Sequence, residues 1–383
     1  MANRFSIMQK RKGRYFDAVL VLTVAFLIVF GLVMLYSVSA YDGNVTYQDS
    51  AYYFKKQLES TLVGLVIMLI VAFVPYHLYE KLWVVAFAFA ALMLILVAPF
   101  GTTVNGAKRW IRVFGLSIQP AEIAKLAIII VVATLLVKLG SGINTWKGLL
   151  IPIIPALIFA LMIYLITQNL SSAIIVMGIA VAMCFVASKD YKRFIIAFLI
   201  LGALIALAVF LIVQNKDSSL GFRAERILAW LDPNAYASGK GFQTLQALYA
   251  IGSGGWMGKG IGESMQKLGY IPEAQNDMIF SIICEELGFV GALCIIALFM
   301  LLIFRCFIIA NSAPDMYGSF LVVGFMSHIA IQVIFNIAVV TNVIPNTGIS
   351  LPFISYGGSA MVCLLAEVGM VLSVARNIII REV

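Results

Sequence analysis

Charge is what this chain has least of. Only 11% of its 383 residues are Asp, Glu, Lys or Arg and 62% are apolar, whereas a soluble domain carries about 25% charged residues. So few charges exclude a soluble globular fold and imply that most of the surface meets lipid. Histidine is nearly missing: His77 and His328 are far apart and neither sits in an HExxH setting, so a histidine metal site is not expected. The five cysteines, Cys184, Cys284, Cys294, Cys306 and Cys363, are odd in number, lack CxxC spacing and fall in or beside apolar runs, which indicates neither a disulfide framework nor a zinc site. No GxSxG nucleophile motif is present, which removes the usual acyl-transfer readings. The net charge of +8 comes from basic residues scattered along connectors, and nucleic-acid binding would need them gathered in one stripe.

What is abundant is the apolar run of about 20 residues, the length that crosses a hydrocarbon core of roughly 30 Å. Such runs predict helices at about 17–40, 57–74, 79–98, 120–138, 148–166, 170–187, 192–214, 278–304, 316–341 and 355–376. The run 17–40 exceeds a signal-peptide core of about 7 to 15 residues and is read as retained. The expected fold class is therefore an all-α polytopic membrane protein of about ten transmembrane helices, with a long extracytoplasmic loop, 215–277, between helices seven and eight. The short loops place Lys and Arg inside. Arg4, Lys10, Arg11, Lys12 and Arg14 form a basic cytoplasmic N-terminus over 1–16, one membrane domain spans 17–377, and a short cytoplasmic tail follows over 378–383. Lys81, Lys138, Lys147, Lys189, Lys192, Arg193, Arg305 and Arg376 fall in or beside turns on that same side.

Three external segments stand apart. The connector 99–119 carries Lys108, Arg109 and Arg112 on the wrong side for the positive-inside rule. The loop 215–277 is long and rich in aromatic and aliphatic residues, as in short helices lying against a membrane surface. The uncharged stretch 342–358, with Pro, Gly and Ser, fits a loop buried in protein.

Three sets of residues could carry chemistry or structure. Glu122 and Lys125 are one helical turn apart, where they either face a polar cavity and orient a ligand or form an ion pair that fixes packing. Glu273 and Asp277 are four residues apart at the mouth of helix eight, with Glu285 and Glu286 inside it. Asp277 reads equally as a helix N-cap and as an exposed carboxylate able to act as a general base. The glycine-rich run 252–262 matches neither GxxxxGK[ST] nor a dinucleotide fingerprint, so it is read as tight turns that bring backbone close to the bundle.

Taken in order, Asn105-Gly106-Ala107-Lys108-Arg109-Trp110-Ile111, Gln119-Pro120-Ala121-Glu122-Ile123-Ala124-Lys125-Leu126, the segment from Pro272 to Phe280 continuing through Glu285-Glu286-Leu287-Gly288, and Gly348 through Ser359 resemble the SEDS family (shape, elongation, division and sporulation). Its members are bacterial membrane glycosyltransferases that polymerise the peptidoglycan precursor lipid II. Ser264-Met265-Gln266-Lys267-Leu268 and Val339-Val340-Thr341 resemble the FtsW and SpoVE branch more than the RodA branch. The resemblance implies that Asp277 is the essential aspartate and that Arg109, Glu122, Lys125 and Glu273 fall on functional positions. It also implies a class B penicillin-binding protein as partner within a divisome or related cell-wall complex.

The expected reaction is inverting transfer at the outer face of the plasma membrane, with Asp277 as base and undecaprenyl pyrophosphate as leaving group. Lys108, Arg109, Arg112 and Lys125 are the cations available to it, and Ser355 and Tyr356 in the last block are expected at the substrate. A divalent cation, Mg or Mn, could share that task through Asp277 or Glu273, although no complete ligand set is visible. Two departures stand out: Gln275-Asn276 replaces the His-Thr of many relatives, and Gln168-Asn169-Leu170-Ser171-Ser172 lacks the carboxylate of a Gln-Pro-Asp-Leu-Gly pattern. The rival readings are a flippase for lipid II or another polyprenyl-linked saccharide, and a non-catalytic scaffold for a cell-wall synthase.

Overall fold

A computed structural model describes residues 17–104, 107–113, 116–214, 222–239 and 241–378. The basic N-terminus 1–16, the start of the long loop at 215–221 and the tail 379–383 lie outside the described residues. In chain order the elements are α1 (Ala18–Tyr47), α2 (Tyr52–Phe73), α3 (His77–Lys81), α4 (Trp83–Phe100), β1 (Thr102–Val104), β2 (Ala107–Val113), β3 (Leu116–Ile118), α5 (Pro120–Leu139), α6 (Trp146–Thr167), α7 (Leu170–Ala187), α8 (Lys192–Gln214), α9 (Phe222–Leu231), α10 (Phe242–Gly254), α11 (Ile279–Ser312), α12 (Met316–Val340) and α13 (Gly358–Arg376). Ten of these, all but α3, α9 and α10, are long and apolar enough to cross a membrane.

Local chemistry sets many of the helix starts. Asp17 accepts the Leu20 N–H at 2.9 Å, Asn169 accepts that of Ser172 at 3.1 Å and Asp315 accepts that of Gly318 at 2.8 Å, each satisfying a donor that the first helical turn leaves open. Pro120 opens α5 at the position where its missing N–H costs nothing. Helices α5, α7, α12 and α13 are the most buried, and α8 is the reverse, with Phe194 its one buried side chain among those described.

The two ends of the bundle differ. One end holds Asp17 paired with Arg305 at 2.6 Å and Asp315 facing His77 at 2.9 Å, together with the turns that bear the lysines and arginines singled out above. The other end gathers the finish of α1, the described parts of the connector 101–119 and of the long loop, and the stretch 341–357.

Three expectations need correction. The connector 99–119 is a small antiparallel sheet in the order β1-β2-β3. Asn105-Gly106 is the sequence signal for such a hairpin, although the dipeptide itself lies outside the described residues. Helix one runs on to Tyr47, well past residue 40. Helix eight, α11, runs to Ser312 and is broken at Gly288, whose φ is 67°.

The glycine-rich run fills that break. The amides of Lys259 and Gly260 donate to the carbonyls of Glu285 and Glu286 at 3.0 and 2.9 Å, and those of Phe289 and Val290 donate to Gly255 and Trp256 at 2.9 and 3.1 Å. A Cβ on Gly288 would stand 2.3 Å from the Gly258 nitrogen, so only glycine allows this backbone contact. The polar groups freed by the broken helix are thereby satisfied, as a span in lipid requires.

Candidate active site

The segment 270–278 leads without regular structure from the glycine-rich turns into α11. Met278 is the residue that caps α11, and no side chain serves the cap. The N-cap reading of Asp277 is therefore wrong: the aspartate sits one residue too early, which leaves its carboxyl for other work. Its main-chain carbonyl accepts the Asn336 Nδ2 of α12 at 2.8 Å, and the same amide donates to Ile349 O at 2.7 Å.

The loop 342–357 closes over the carboxyl from the other side. Gly348 has φ 70°, and a Cβ there would lie 3.7 Å from Asp277 Oδ2. Burial pushes the Asp277 carboxyl up to about 6, its own backbone N–H opposes this, Glu273 adds to the rise and Arg226 pulls it down. The exposed carboxylate of the sequence reading is thus a half-buried one. A group with that pKa is still about nine-tenths ionised at pH 7, and its basicity is better matched to proton transfer near neutrality.

Four charges are coupled here. Burial pulls the Arg109 guanidinium below its ordinary value, Arg226 adds to the fall and Glu273 opposes it, so Arg109, Arg226, Glu273 and Asp277 share one field. Arg109 reaches from β2 to the carbonyls of Thr167 and Gln168 at 3.4 and 3.5 Å. Arg226, on α9, donates to Asn346 O at 3.4 Å. Glu273 adopts φ 51° and accepts Asn276 Nδ2 at 2.9 Å. Arg226 has no local motif and sequence reasoning missed it; its place follows from α9 docking on the 342–346 stretch, where the Trp230 indole donates to Asn342 O at 3.1 Å. Beside Arg226 lies a hollow of about 230 Å³, with Trp230, Phe242, Gln243 and Asn346 in its wall.

The other expected residues are not brought into that field together. The pleat of β2 sends Lys108 and Arg112 to the side opposite Arg109 and Ile111. Both are exposed, and Lys108 donates to Ala98 O at 3.3 Å. Lys125 and Glu122 form a buried ion pair at 2.7 Å in the first turns of α5, within the field felt by Cys363 of α13. The Ser355 hydroxyl accepts the Leu351 N–H at 2.8 Å while its own N–H returns to Leu351 O at 3.0 Å, a locked turn. Tyr356 is half-buried, packs edge-on to Tyr53 with ring centres 5.0 Å apart and ties its N–H to Gln275 O at 2.9 Å.

The departing residues have defined places. Gln275 donates to Asp42 Oδ2 at 3.0 Å, which also receives the Tyr53 hydroxyl at 2.9 Å. Ser171 donates to Thr347 O, tying α7 to the covering loop. A divalent cation finds no ready cage, since no group of three or more His, Cys, Asp or Glu is placed to hold one among the described residues. Glu273 and Asp277 alone do not make a complete ligand set.

Comparison with known proteins follows the same lines. The family model described as cell cycle protein, FtsW/RodA/SpoVE, matches residues 17–379. Stage V sporulation protein E of Bacillus subtilis (strain 168) is 39% identical over 94% of this chain and 97% of its own length. A probable peptidoglycan glycosyltransferase FtsW of Trichlorobacter lovleyi is 36% identical over 95% of this chain and 94% of its own. Among solved structures, a chain of a peptidoglycan synthase complex, described for its structural coordination of polymerization and crosslinking, aligns with TM-score 0.79 and 27% identity over 95% of this chain and 98% of that one. The rod shape determining protein RodA of Thermus thermophilus aligns with TM-score 0.68 and 25% identity over 95% and 97%. With ten spans, the four sequence blocks in order and a family match over nearly its whole length, the chain belongs to the FtsW/RodA/SpoVE family.

Proposed function

We propose that this protein is a peptidoglycan glycosyltransferase that polymerises lipid II. The observation that carries the reading is Asp277: a half-buried carboxyl at the mouth of a membrane-spanning helix, with a pKa near 6 and in the field of Arg226. In the proposed step the 4-hydroxyl of an acceptor GlcNAc attacks the anomeric carbon of a donor MurNAc. The new C–O bond forms as the bond to pyrophosphate breaks with inversion, the electron pair leaves with undecaprenyl pyrophosphate, and Asp277 takes the hydroxyl proton. A base so placed contributes about 10²- to 10⁴-fold.

Arg226, which acts on this acid, and Arg109, which shares the field of Arg226 and Glu273, would stabilise the charge of the departing pyrophosphate. Lys125, neutralised by Glu122, would set the packing beneath them, while Lys108 and Arg112 would attract anionic headgroups from a distance. The hollow beside Arg226 offers an aromatic and amide-lined wall suited to a sugar ring or its substituents.

The side of action follows from the two ends of the bundle. The cation-rich turns with Asp17 and Arg305 are assigned to the cytoplasm, so the Asp277 end is extracytoplasmic and both termini are cytoplasmic. A class B penicillin-binding protein is the proposed partner, a reading supported by the relative solved within a peptidoglycan synthase complex. The experiment is to supply detergent-solubilised protein, with and without a class B transpeptidase, with lipid II and to resolve the products by size. Glycan chains are expected. Translocation of labelled lipid II in vesicles without any chain formation, partner present, would favour a flippase instead.

A further inference from the structure

The proposed base is held in place by something that is neither a helix ladder nor a cap. Asp277 precedes the first turn of α11, so the cap position contributes no anchor of its own. Ile349 lies in the covering loop, which has no strand partners among the described residues. The carbonyls of both point into the protein at one spot, and buried carbonyls need donors. Asn336, wholly buried in α12, supplies one to each: its Nδ2 donates to Asp277 O at 2.8 Å and to Ile349 O at 2.7 Å.

This is a task few side chains can do. Two acceptors must be bridged by one neutral group with two N–H donors on a short stem, which describes a primary amide. A hydroxyl has one proton to give, and a lysine or arginine would bring an uncompensated charge into the bundle. One turn earlier on the same face, Gln332 donates to Ser350 O at 3.1 Å, so α12 grips the loop at successive residues. The residue next to Ile349 is Gly348, where even a Cβ would stand 3.7 Å from Asp277 Oδ2. The Asn336 amide therefore fixes the room left over the carboxyl.

We infer that Asn336 is a positioning residue for the glycosyl transfer: its side-chain amide sets the Asp277 main chain against the covering loop, and so holds the carboxylate at the place where the acceptor hydroxyl arrives. The inference rests on the reading of Asp277 as the base. Misplacement of a reacting group by about 1 Å can cost about 10²-fold in rate, and substrate contacts made elsewhere are left intact. The expected signature is a fall in kcat with KM for lipid II nearly unchanged.

The test compares wild type, Asn336→Ala, Gly348→Ala and Asp277→Asn as full-length proteins with the same transpeptidase, reading the rate of chain formation over a range of lipid II concentration, with thermal unfolding followed in parallel. Asn336→Ala is expected to lower kcat by about 10- to 100-fold while KM stays within about threefold, even after correction for the fraction folded. Asp277→Asn is the control on the underlying reading. If Asp277→Asn is inactive and folded Asn336→Ala keeps the wild-type kcat, the positioning role is overturned while the base stands; if Asp277→Asn polymerises normally, the base reading itself has failed. Should Asn336→Ala not fold, Gly348→Ala decides, because a side chain at φ 70° strains the covering loop beside Asp277 and so shifts the same contact from the loop side: a lower kcat at unchanged KM supports the inference, and a wild-type kcat overturns it.

Discussion

Asp277 and the pair Glu285-Glu286 lie on one short stretch of chain, and their surroundings are opposite. Glu285 meets Lys259 at 2.7 Å and also receives the Ser264 hydroxyl and the amide of Met265. Glu286 meets Lys267 at 2.7 Å and the Ser37 hydroxyl at 3.0 Å. Both carboxylates are wholly buried; Lys259 comes from the turns that fill the break in α11 and Lys267 from the turn that follows them. These acids staple a loop to a helix. Asp277 has no lysine or arginine within ion-pair distance among the described residues, and its pKa rises to about 6. A carboxylate locked by a cation is a poor base; a half-buried one held by its main chain is a usable one.

The sharpest way to break this comparison is Asp277→Asn, which is expected to lower chain formation by about 10²- to 10⁴-fold while thermal unfolding stays where it is. Glu286→Gln should do the reverse. Removing one partner of a buried ion pair costs about 3–5 kcal/mol, so unfolding moves to lower temperature, and the activity lost should track the fraction unfolded. Arg109→Ala should then reduce kcat/KM by about 10²-fold with little change in unfolding, and full activity would remove it from the pyrophosphate site.

The pH profile gives a smaller effect with a definite sign. Because the base must be deprotonated, kcat/KM should fall as pH drops through about 6. Arg226→Ala removes a cation that favours the ionised form and should move that limb to higher pH, whereas Glu273→Gln should move it to lower pH. The smallest effects are expected for Lys108→Ala and Arg112→Ala, at most about threefold in KM and weaker in high salt, since exposed charges act mainly at long range.

Much of this was legible in the chain. Ten spans follow from ten apolar runs, because lipid leaves the backbone few alternatives, and the block around Asp277 announces itself by acids at the mouth of a span. The break at Gly288 was hidden inside a long apolar run: hydropathy reports what a residue meets, and a broken helix in lipid is as apolar as a whole one. Its trace in the sequence is the glycine-rich run, which predicts backbone close to the bundle; the fold identifies the target as the break in α11. The sheet at 102–118 has a local signal in Asn105-Gly106, but its outer strands are only three residues each, too short for an alternating pattern to show. Arg226 and Asn336 left no local pattern at all. One acts through α9 docking on a distant loop and the other lies near the end of α12, 59 residues after the aspartate with the whole of α11 between them, so their roles exist only in tertiary packing.

The most direct measurement is the length distribution of glycan made from lipid II by wild type, Asp277→Asn and Glu286→Gln, each purified with its transpeptidase and compared per folded molecule. The account predicts chains from wild type and from folded Glu286→Gln, and none above background from folded Asp277→Asn. Equal chains from Asp277→Asn and wild type would contradict it.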